Sequence, residues 1–342
     1  MVGIRDVARR ANVSPGTVSR LLNNDKTLSV SAATRERIYQ AVEALDYDVS
    51  KRKYQKKRLP SIGVIATISR QSELDDPYFN QLRTGIEEEA RKLHLGLNRV
   101  YNLSENPREW KDFDHLGAVI VVGTVTEPSL QELMKQNKNI VVVDNPDITQ
   151  EVDLVYADFE RMTQRILSLF LAAGHRRIAY IGGYNIDVDQ AGHKAFNENE
   201  KRLRTYKQFM QEQGLAEAIC YKIGQWEPLE GKRMAEELLA ENDLFPTAIL
   251  VGSDPLSVGV YRALQSAGKE IGKDVVIASF DDIEISEFLT PNLTTVRING
   301  HAIGRAAVRL ANERIEGIRQ EPVVLTFPSK LVIRESFVPE QL

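Results

Sequence analysis

IRDVARRANVSPGTVSRLLNN, residues 4–24, is the stretch from which the fold can first be read. Ile4, Val7, Ala8 and Ala11 recur at i, i+3, i+4 and i+7, which predicts a first amphipathic helix. Asn12-Val13 breaks it. Ser14 then stands as an N-cap and Pro15 suits the first helical position, with Val18, Leu21 and Leu22 continuing an inward face. Further on, Ser31 is placed to cap a third helix whose buried side is Ile38, Val42 and Leu45. Two short helices joined by a tight turn and braced by a third form the helix-turn-helix arrangement, predicted here for a head of residues 1–47. If the second helix enters a major groove, the face bearing Thr17, Arg20 and Asn23 meets the DNA. Ser14, Thr17, Ser19 and Asn23 are short polar groups suited to phosphates, and Arg20 can fork onto guanine O6 and N7. A small helical domain that binds protein would satisfy the same spacing.

Outward from this stretch the charge is uneven. Residues 1–60 carry thirteen Lys and Arg against six Asp and Glu, a net of +7. The remaining residues carry 31 against 42, a net of −11 within a chain total of −4. A cationic head on an acidic body points to a polyanion partner for the head alone. Residues 48–60, DVSKRKYQKKRLP, supply six of the basic residues, Tyr54 and a closing proline, and read as a basic hinge or linker. They fit either a segment that orders on DNA or a phosphate-binding tether. No apolar run approaches the ~18 residues of a spanning helix, and the first residues lack the core of a signal peptide. One cysteine, Cys220, excludes an intrachain disulfide, so a reducing cytoplasm is the expected setting. Five scattered histidines offer no zinc-ligand spacing, so no metal is expected.

From residue 61 onward the pattern alternates. Short β-branched runs lie at 61–68, 118–123, 139–144, 176–183, 247–252 and 274–280, with helical patterns between them at 78–94, 159–173, 227–241 and 255–267. Near-continuous apolar strands separated by helices predict doubly wound parallel sheets, and about ten strands fit two sheets better than one. Ligands of such sheets sit beyond the strands' carboxyl ends, where the sequence places Asp144, Ser253-Asp254 and Asp281. Nucleotide and catalytic motifs are missing: IGGY at 181–184 lacks the G-x-G-x-x-G spacing, and no phosphate-binding loop or G-x-S-x-G elbow occurs. An enzyme is not expected, nor is a cofactor.

Residues 4–24 together with VSAATRERI at 30–38 strongly resemble the DNA-binding head of the lactose/galactose repressor family. The likeness extends through DDPYFNQLRTGIEEEA (75–90), LAAGHRRIAYIGG (171–183), PTAILVGSD to VYRAL (246–264) and SFDD with LTTVR (279–297). Within the family it is strongest toward galactose repressors of Gram-positive bacteria and the repressor of the evolved β-galactosidase operon. In the head, the resemblance implies base reading at Pro15, Gly16 and Arg20; Pro15 and Gly16 are poor donors, which leaves direct readout to Arg20. In the hinge it implies a helix that wedges a side chain into the minor groove, with Tyr54 the nearest large side chain and Val49 where a proline is usual.

For the body the resemblance implies a two-lobed fold like that of periplasmic sugar-binding proteins. The first lobe would take about 61–160 and 293–325, the second about 161–292 and 326–338. A sugar effector would lie between them, held by Arg202 of RLRTY (with Arg204 as second choice), Trp226 of GQWEPLEG, Tyr78, Phe79, Asp144, Ser253 and Asp281. Asp254, before Pro255, reads as a helix N-cap, and the polar stretch 185–200 has no assigned role. The function implied is a homodimeric repressor of a sugar-utilisation operon, galactose or β-galactoside, bound to duplex operator DNA and released by its sugar. An activator or a corepressor-dependent catabolite regulator is the alternative within the family. The end at ESFVPEQL, without a leucine-heptad tail, favours a dimer.

Overall fold

Each helix of the head forms where its caps place it. In a computed structural model of the chain, which describes residues 3–22, 25, 28–45, 47, 59–69, 76–103, 112–241 and 245–339, Met1–Lys57 and Arg58–Leu342 are two compact units. The first unit holds α1 (Ile4–Ala11), α2 (Pro15–Leu22) and α3 (Ala32–Ala44). Gly3 N–H donates to Asp6 Oδ2 at 2.9 Å, satisfying an amide at the start of α1 that has no partner within the helix. Asn12 closes α1 in the left-handed conformation at φ 52°, which turns the chain into α2. Ser14 Oγ accepts from Thr17 N–H at 3.0 Å, and Ser31 Oγ accepts from Thr34 N–H at 3.2 Å. Val7, Ala8, Ala11, Val18, Leu21, Ile38 and Ala41 form the core, with Val42 and Leu45 packed against it.

The second unit contains two six-stranded sheets and a hairpin. The first sheet comprises β1 (Leu59–Ala66), β2 (Gly96–Asn102), β3 (Leu116–Val122), β4 (Ile140–Val143), β5 (Asp153–Ala157) and β13 (Val324–Phe327). Its strand order is β13-β5-β4-β3-β1-β2, all parallel. The second comprises β6 (Ile178–Gly183), β9 (Cys220–Gly224), β10 (Ala248–Val251), β11 (Val276–Asp281), β12 (Thr294–Arg297) and β14 (Lys330–Val332), in the order β14-β12-β11-β10-β6-β9. Only β14 runs antiparallel within it. Strands β3, β4, β6, β10 and β11 are buried along their whole length, as sheets covered on both faces require. The covering helices are α4 (Pro77–Lys92), α5 (Glu127–Gln136), α6 (Phe159–Ala172), α7 (Lys201–Glu212), α8 (Pro228–Glu241), α9 (Asp254–Ser266) and α10 (Gly300–Glu316). Helices α4 and α10 cross so closely that a Cβ on Gly304 would lie 2.1 Å from the Leu82 carbonyl oxygen, so glycine is required there.

Three expectations need correction. The strand TTVR belongs to the second sheet, not to a first-lobe segment starting at 293. Its residues pair with β11 from Ala278–Thr294 to Asp281–Arg297, and the chain crosses to the first lobe only between Arg297 and Gly300. That first-lobe segment also runs past 325, because β13 pairs with β5 as far as Phe327–Ala157. Strand β1 begins at Leu59, inside the expected linker, by pairing with Leu116; residues 48–58 lie outside the described residues. Asp158, at the first crossing, ties the connections together: its N–H donates to the Phe327 carbonyl and its Oδ1 accepts from Ser329 N–H at 2.8 Å. Stretch 185–200 contains a hairpin, β7 (Asn185–Val188) against β8 (Lys194–Asn197), inserted after β6.

Candidate nucleic-acid interface and effector cleft

On the head, burial of Val18 and Leu21 turns the opposite face of α2 outward. Ser14, Pro15, Gly16 and Arg20 are exposed, and Thr17 and Ser19 are half-buried beside them. A Cβ on Gly16 would meet only Ser14 Oγ, so the start of the helix is open to a groove wall. Ser14 and Thr17 share a hydroxyl hydrogen bond of 2.9 Å, which fixes both oxygens at the helix N-terminus, where a phosphate is favoured. Arg20 Nε donates to Asp25 Oδ2 at 2.7 Å while half of its side chain stays in water. Asn23 and Tyr54 lie outside the described residues.

In the second unit the carboxyl ends of the two sheets meet around a charged cluster. Asp76 caps α4 by accepting from Tyr78 N–H at 3.0 Å, which points Tyr78 toward the end of β4. There Tyr78 Oη donates to Asp144 Oδ2 at 2.5 Å. Asp144 Oδ1 is buried and has no hydrogen-bond partner among the described residues. Asp144 and Asp281 terminate their strands with φ of 62° and 107°, left-handed values that hold each carboxyl at its sheet's end. Burial pushes the Asp144 carboxyl up to about 6, with hydrogen bonding from Tyr78 and the Arg202 charge pulling back. Burial, reinforced by the charges of Asp76 and Asp254, raises Asp281 well above the ordinary carboxylate range.

Arg202 comes from the second lobe. Its guanidinium carbon lies 4.6 Å from the ring centres of both Phe159 and Trp226, and 5.4 Å from that of Phe280. Its Nη1 donates to the Gly252 carbonyl at 2.6 Å and its Nε to Glu200 Oε1 at 2.8 Å. Glu200 Oε2 accepts from the Arg202 and Leu203 amides and from Tyr180 Oη, so one carboxylate caps α7 and aligns the arginine. Burial works against the Arg202 charge, but Glu200, Tyr180 and Asp281 more than offset it and keep the guanidinium protonated. Trp226 lies flat over β6: its Nε1 donates to the Tyr184 carbonyl at 3.0 Å, and a Cβ on Gly183 would fall 2.2 Å from the indole.

The structure therefore brings Tyr78, Asp144, Arg202, Trp226 and Asp281 together, while two other nominated residues are engaged elsewhere. Phe79 meets Tyr78 edge-on but lines a different cavity, of about 420 Å³, with Val64, Leu82 and Leu97. Ser253 is buried and spends its hydroxyl as the cap of α9, accepting from Leu256 N–H. That displaces Asp254 from the expected capping role; its carboxylate instead accepts from Ile283 N–H at 3.0 Å and Thr295 Oγ1 at 2.7 Å. Arg204 points to the first lobe, where Asp147 takes it at 2.8 and 2.6 Å. Asp76, Phe159, Glu200 and Phe280 were not expected. Asp76 before Pro77 carries a capping signal that could have marked it; Glu200, two residues before Arg202, could have been found the same way. Among the described residues no cluster of His, Cys, Asp and Glu is arranged to hold a metal.

Comparison with known proteins decides what this architecture belongs to. The family model described as bacterial regulatory proteins, lacI family, matches residues 3–50, and that of a periplasmic binding protein-like domain matches residues 167–337. The HTH-type transcriptional repressor MelR of Bacillus subtilis is 32% identical over 98% of this chain and 97% of its own length. The chain belongs to the lacI family of bacterial transcriptional regulators. The HTH-type transcriptional regulator GalR of Streptococcus thermophilus is 28% identical over 98% of this chain and 99% of that protein. These relatives are transcriptional regulators, not enzymes. Among solved structures, the lac repressor dimer bound to operator and the anti-inducer ONPF superposes with a TM-score of 0.67 at 22% identity, covering 98% of each chain. The transcriptional regulator CelR–cellobiose complex gives 0.69 at 22% identity, covering 98% of this chain and 100% of that one. As a lacI-family regulator with a helix-turn-helix head, the chain binds DNA. No helix among the described residues is long and apolar enough to cross a membrane.

Proposed function

We propose that this regulator represses genes of sugar utilisation, with galactose or a β-galactoside as its inducer, and that it acts as a homodimer on a near-palindromic operator. The observation that carries the reading is the set of groups at the sheet ends. A pyranose needs an aromatic surface for its C–H face and directional acceptors and donors for its hydroxyls. Trp226 brings an aromatic ring to the cleft wall, the Arg202 guanidinium stacked on it offers donors, and Asp144 Oδ1 is a buried acceptor that a sugar hydroxyl would satisfy. Leaving such an atom unpaired costs about 1–3 kcal/mol, which a hydroxyl donor would recover on binding. Tyr78 and Asp144 belong to the first lobe and Arg202, Trp226 and Asp281 to the second, so one sugar would bridge both and favour one state of lobe closure. Induction follows if the operator-bound dimer favours the other state; a coupling of about 1–3 kcal/mol is typical. The site of action is the cytoplasm, at the nucleoid. Arg204, occupied by Asp147, and Phe79, in its own cavity, take no part in this reading.

The test is a gel shift on the operator with increasing galactose, run for wild type and Arg202→Ala. The variant should hold the operator at wild-type affinity and no longer release it. Normal release would remove Arg202 from the site, and a calorimetric screen of sugars against the full chain would identify the inducer.

A further inference from the structure

The hairpin of β7 and β8 grows from the second lobe, yet its outer end is fastened to the first. Val188 bridges Val125 in parallel, with Val188 N–H donating to the Thr124 carbonyl and Thr126 N–H to the Val188 carbonyl, each at 3.1 Å. Gln190 N–H donates to Ser129 Oγ at 3.0 Å. The Val188 side chain is fully buried among first-lobe residues, including Val125, Leu130 and Leu133. The hairpin between its two ends is braced: Asp187 accepts from Asn185 on its own strand at 3.1 Å and from Asn197 on the facing strand at 2.8 Å. Asp189 closes the tip by accepting from the amides of Ala191 and His193.

The residues at its base are the ones that hold the cleft. Tyr184, immediately before β7, takes the Trp226 indole N–H on its carbonyl; Glu200, three residues after β8, aligns Arg202. A braced element seated in one lobe thus ends on the two groups that orient the other lobe's tryptophan and arginine.

We propose that the hairpin is a positioning segment: seating Val188 in the first lobe sets the orientation of Trp226 and Arg202, so the sugar-facing surface is complete only while the lobes are fastened. Its consequence for sugar affinity rests on the cleft reading above; its consequence for Trp226 does not. The chain has two tryptophans, so Trp110→Phe leaves Trp226 as the sole emitter. In that full-length background, Val188→Thr puts a hydroxyl into the apolar seat without touching the cleft. In the sugar-free protein, Trp226 emission should move to longer wavelength and acrylamide quenching should rise at least twofold. Val125→Cys with Val188→Cys, in a Cys220→Ser background, locks the seat when oxidised. Neighbouring strands lie about 4.8 Å apart, within the span of a disulfide.

The oxidised lock should leave emission at the wild-type value and slow galactose dissociation at least tenfold, reversibly with reductant. Val188→Thr should weaken galactose binding about tenfold while operator affinity without sugar stays within twofold. Unchanged Trp226 emission and quenching in Val188→Thr would overturn the proposal, whatever the sugar. Arg202→Ala separates the two readings. If it binds galactose normally, the cleft assignment fails; if it loses galactose while the lock leaves dissociation unaffected, the hairpin assignment alone fails.

Discussion

Arg20 and Arg202 sit in different units of the chain and are held in opposite ways. Arg20 stands on an eight-residue helix with 50% of its side chain exposed, beside an aspartate five residues along the chain. Arg202 is 12% exposed, flanked by Phe159 and Trp226, and tied to Glu200 and to the Gly252 carbonyl fifty residues away. An exposed ion pair is cheap to exchange for another partner, which suits the base contact expected of Arg20. A buried cation with a fixed carboxylate is costly to move, which suits a wall against which a ligand is recognised. The difference teaches that the head's arginine is placed by a local helix, whereas the body's is placed by the assembled lobe.

The sharpest way to break that comparison is Glu200→Ala. It strips the buried guanidinium of its carboxylate, leaves Tyr180 Oη without its acceptor and uncaps α7. Removing one member of a buried pair costs about 3–5 kcal/mol, so the denaturant midpoint of the body should fall sharply. A loss under about 1 kcal/mol would show that Arg202 is no more fixed than Arg20.

Next in size is Asp144→Asn. The folded carboxyl titrates near 6 rather than at the ordinary 3.8. Between those values the folded state keeps a proton that the unfolded chain has lost, so stability falls as pH rises through that window and then levels. The aspartate protein without sugar should therefore be more stable at pH 5 than at pH 7.5. Asn removes the ionisation, so the variant should lose this slope and gain up to about 3 kcal/mol at pH 7.5 while binding galactose more weakly. Thermal melts of both proteins across pH 4–8 check it. A slope that survives the substitution would assign it to another acid.

How much could be read in advance follows the same division. The head's helices, caps and core were legible because each depends on residues within four positions: Ser14 on Thr17, Ser31 on Thr34, Val7 on Ala11. Asp144, Arg202 and Asp281 were legible as strand-end or motif residues. Phe159, Phe280 and the Gly252 carbonyl were not, since nothing near them in the chain says which lobe they face. Ser253 was ambiguous for a related reason: a serine after a strand suits a ligand or a cap equally, and the Pro255 that follows hid which residue would cap. The β12 assignment failed because a short strand carries no mark of the sheet it joins.

Arg20→Ala comes third. It should weaken operator binding by about 1–3 kcal/mol more than binding to random duplex DNA, as loss of a base contact does. Equal losses on both DNAs, in titrations at one fixed salt concentration, would make Arg20 a phosphate contact instead.

The smallest expected effect is the most direct test of the comparison. Asp25→Ala removes the carboxylate that takes Arg20 Nε at 2.7 Å. The Asp25 N–H to Arg20 carbonyl hydrogen bond that closes the end of α2 is a backbone bond and survives the substitution. The pair is half in water, so its loss should cost the head no more than about 1 kcal/mol, and less as salt rises. On the operator the sign should reverse or vanish: for Nε to turn toward a base edge the ion pair must open, and an alanine spares that step. Operator affinity measured by fluorescence anisotropy should thus be unchanged or slightly tighter. If Asp25→Ala instead weakens operator binding as much as Arg20→Ala does, Asp25 aligns Arg20 as Glu200 aligns Arg202. The two arginines would then be one device used twice, once in water and once out of it.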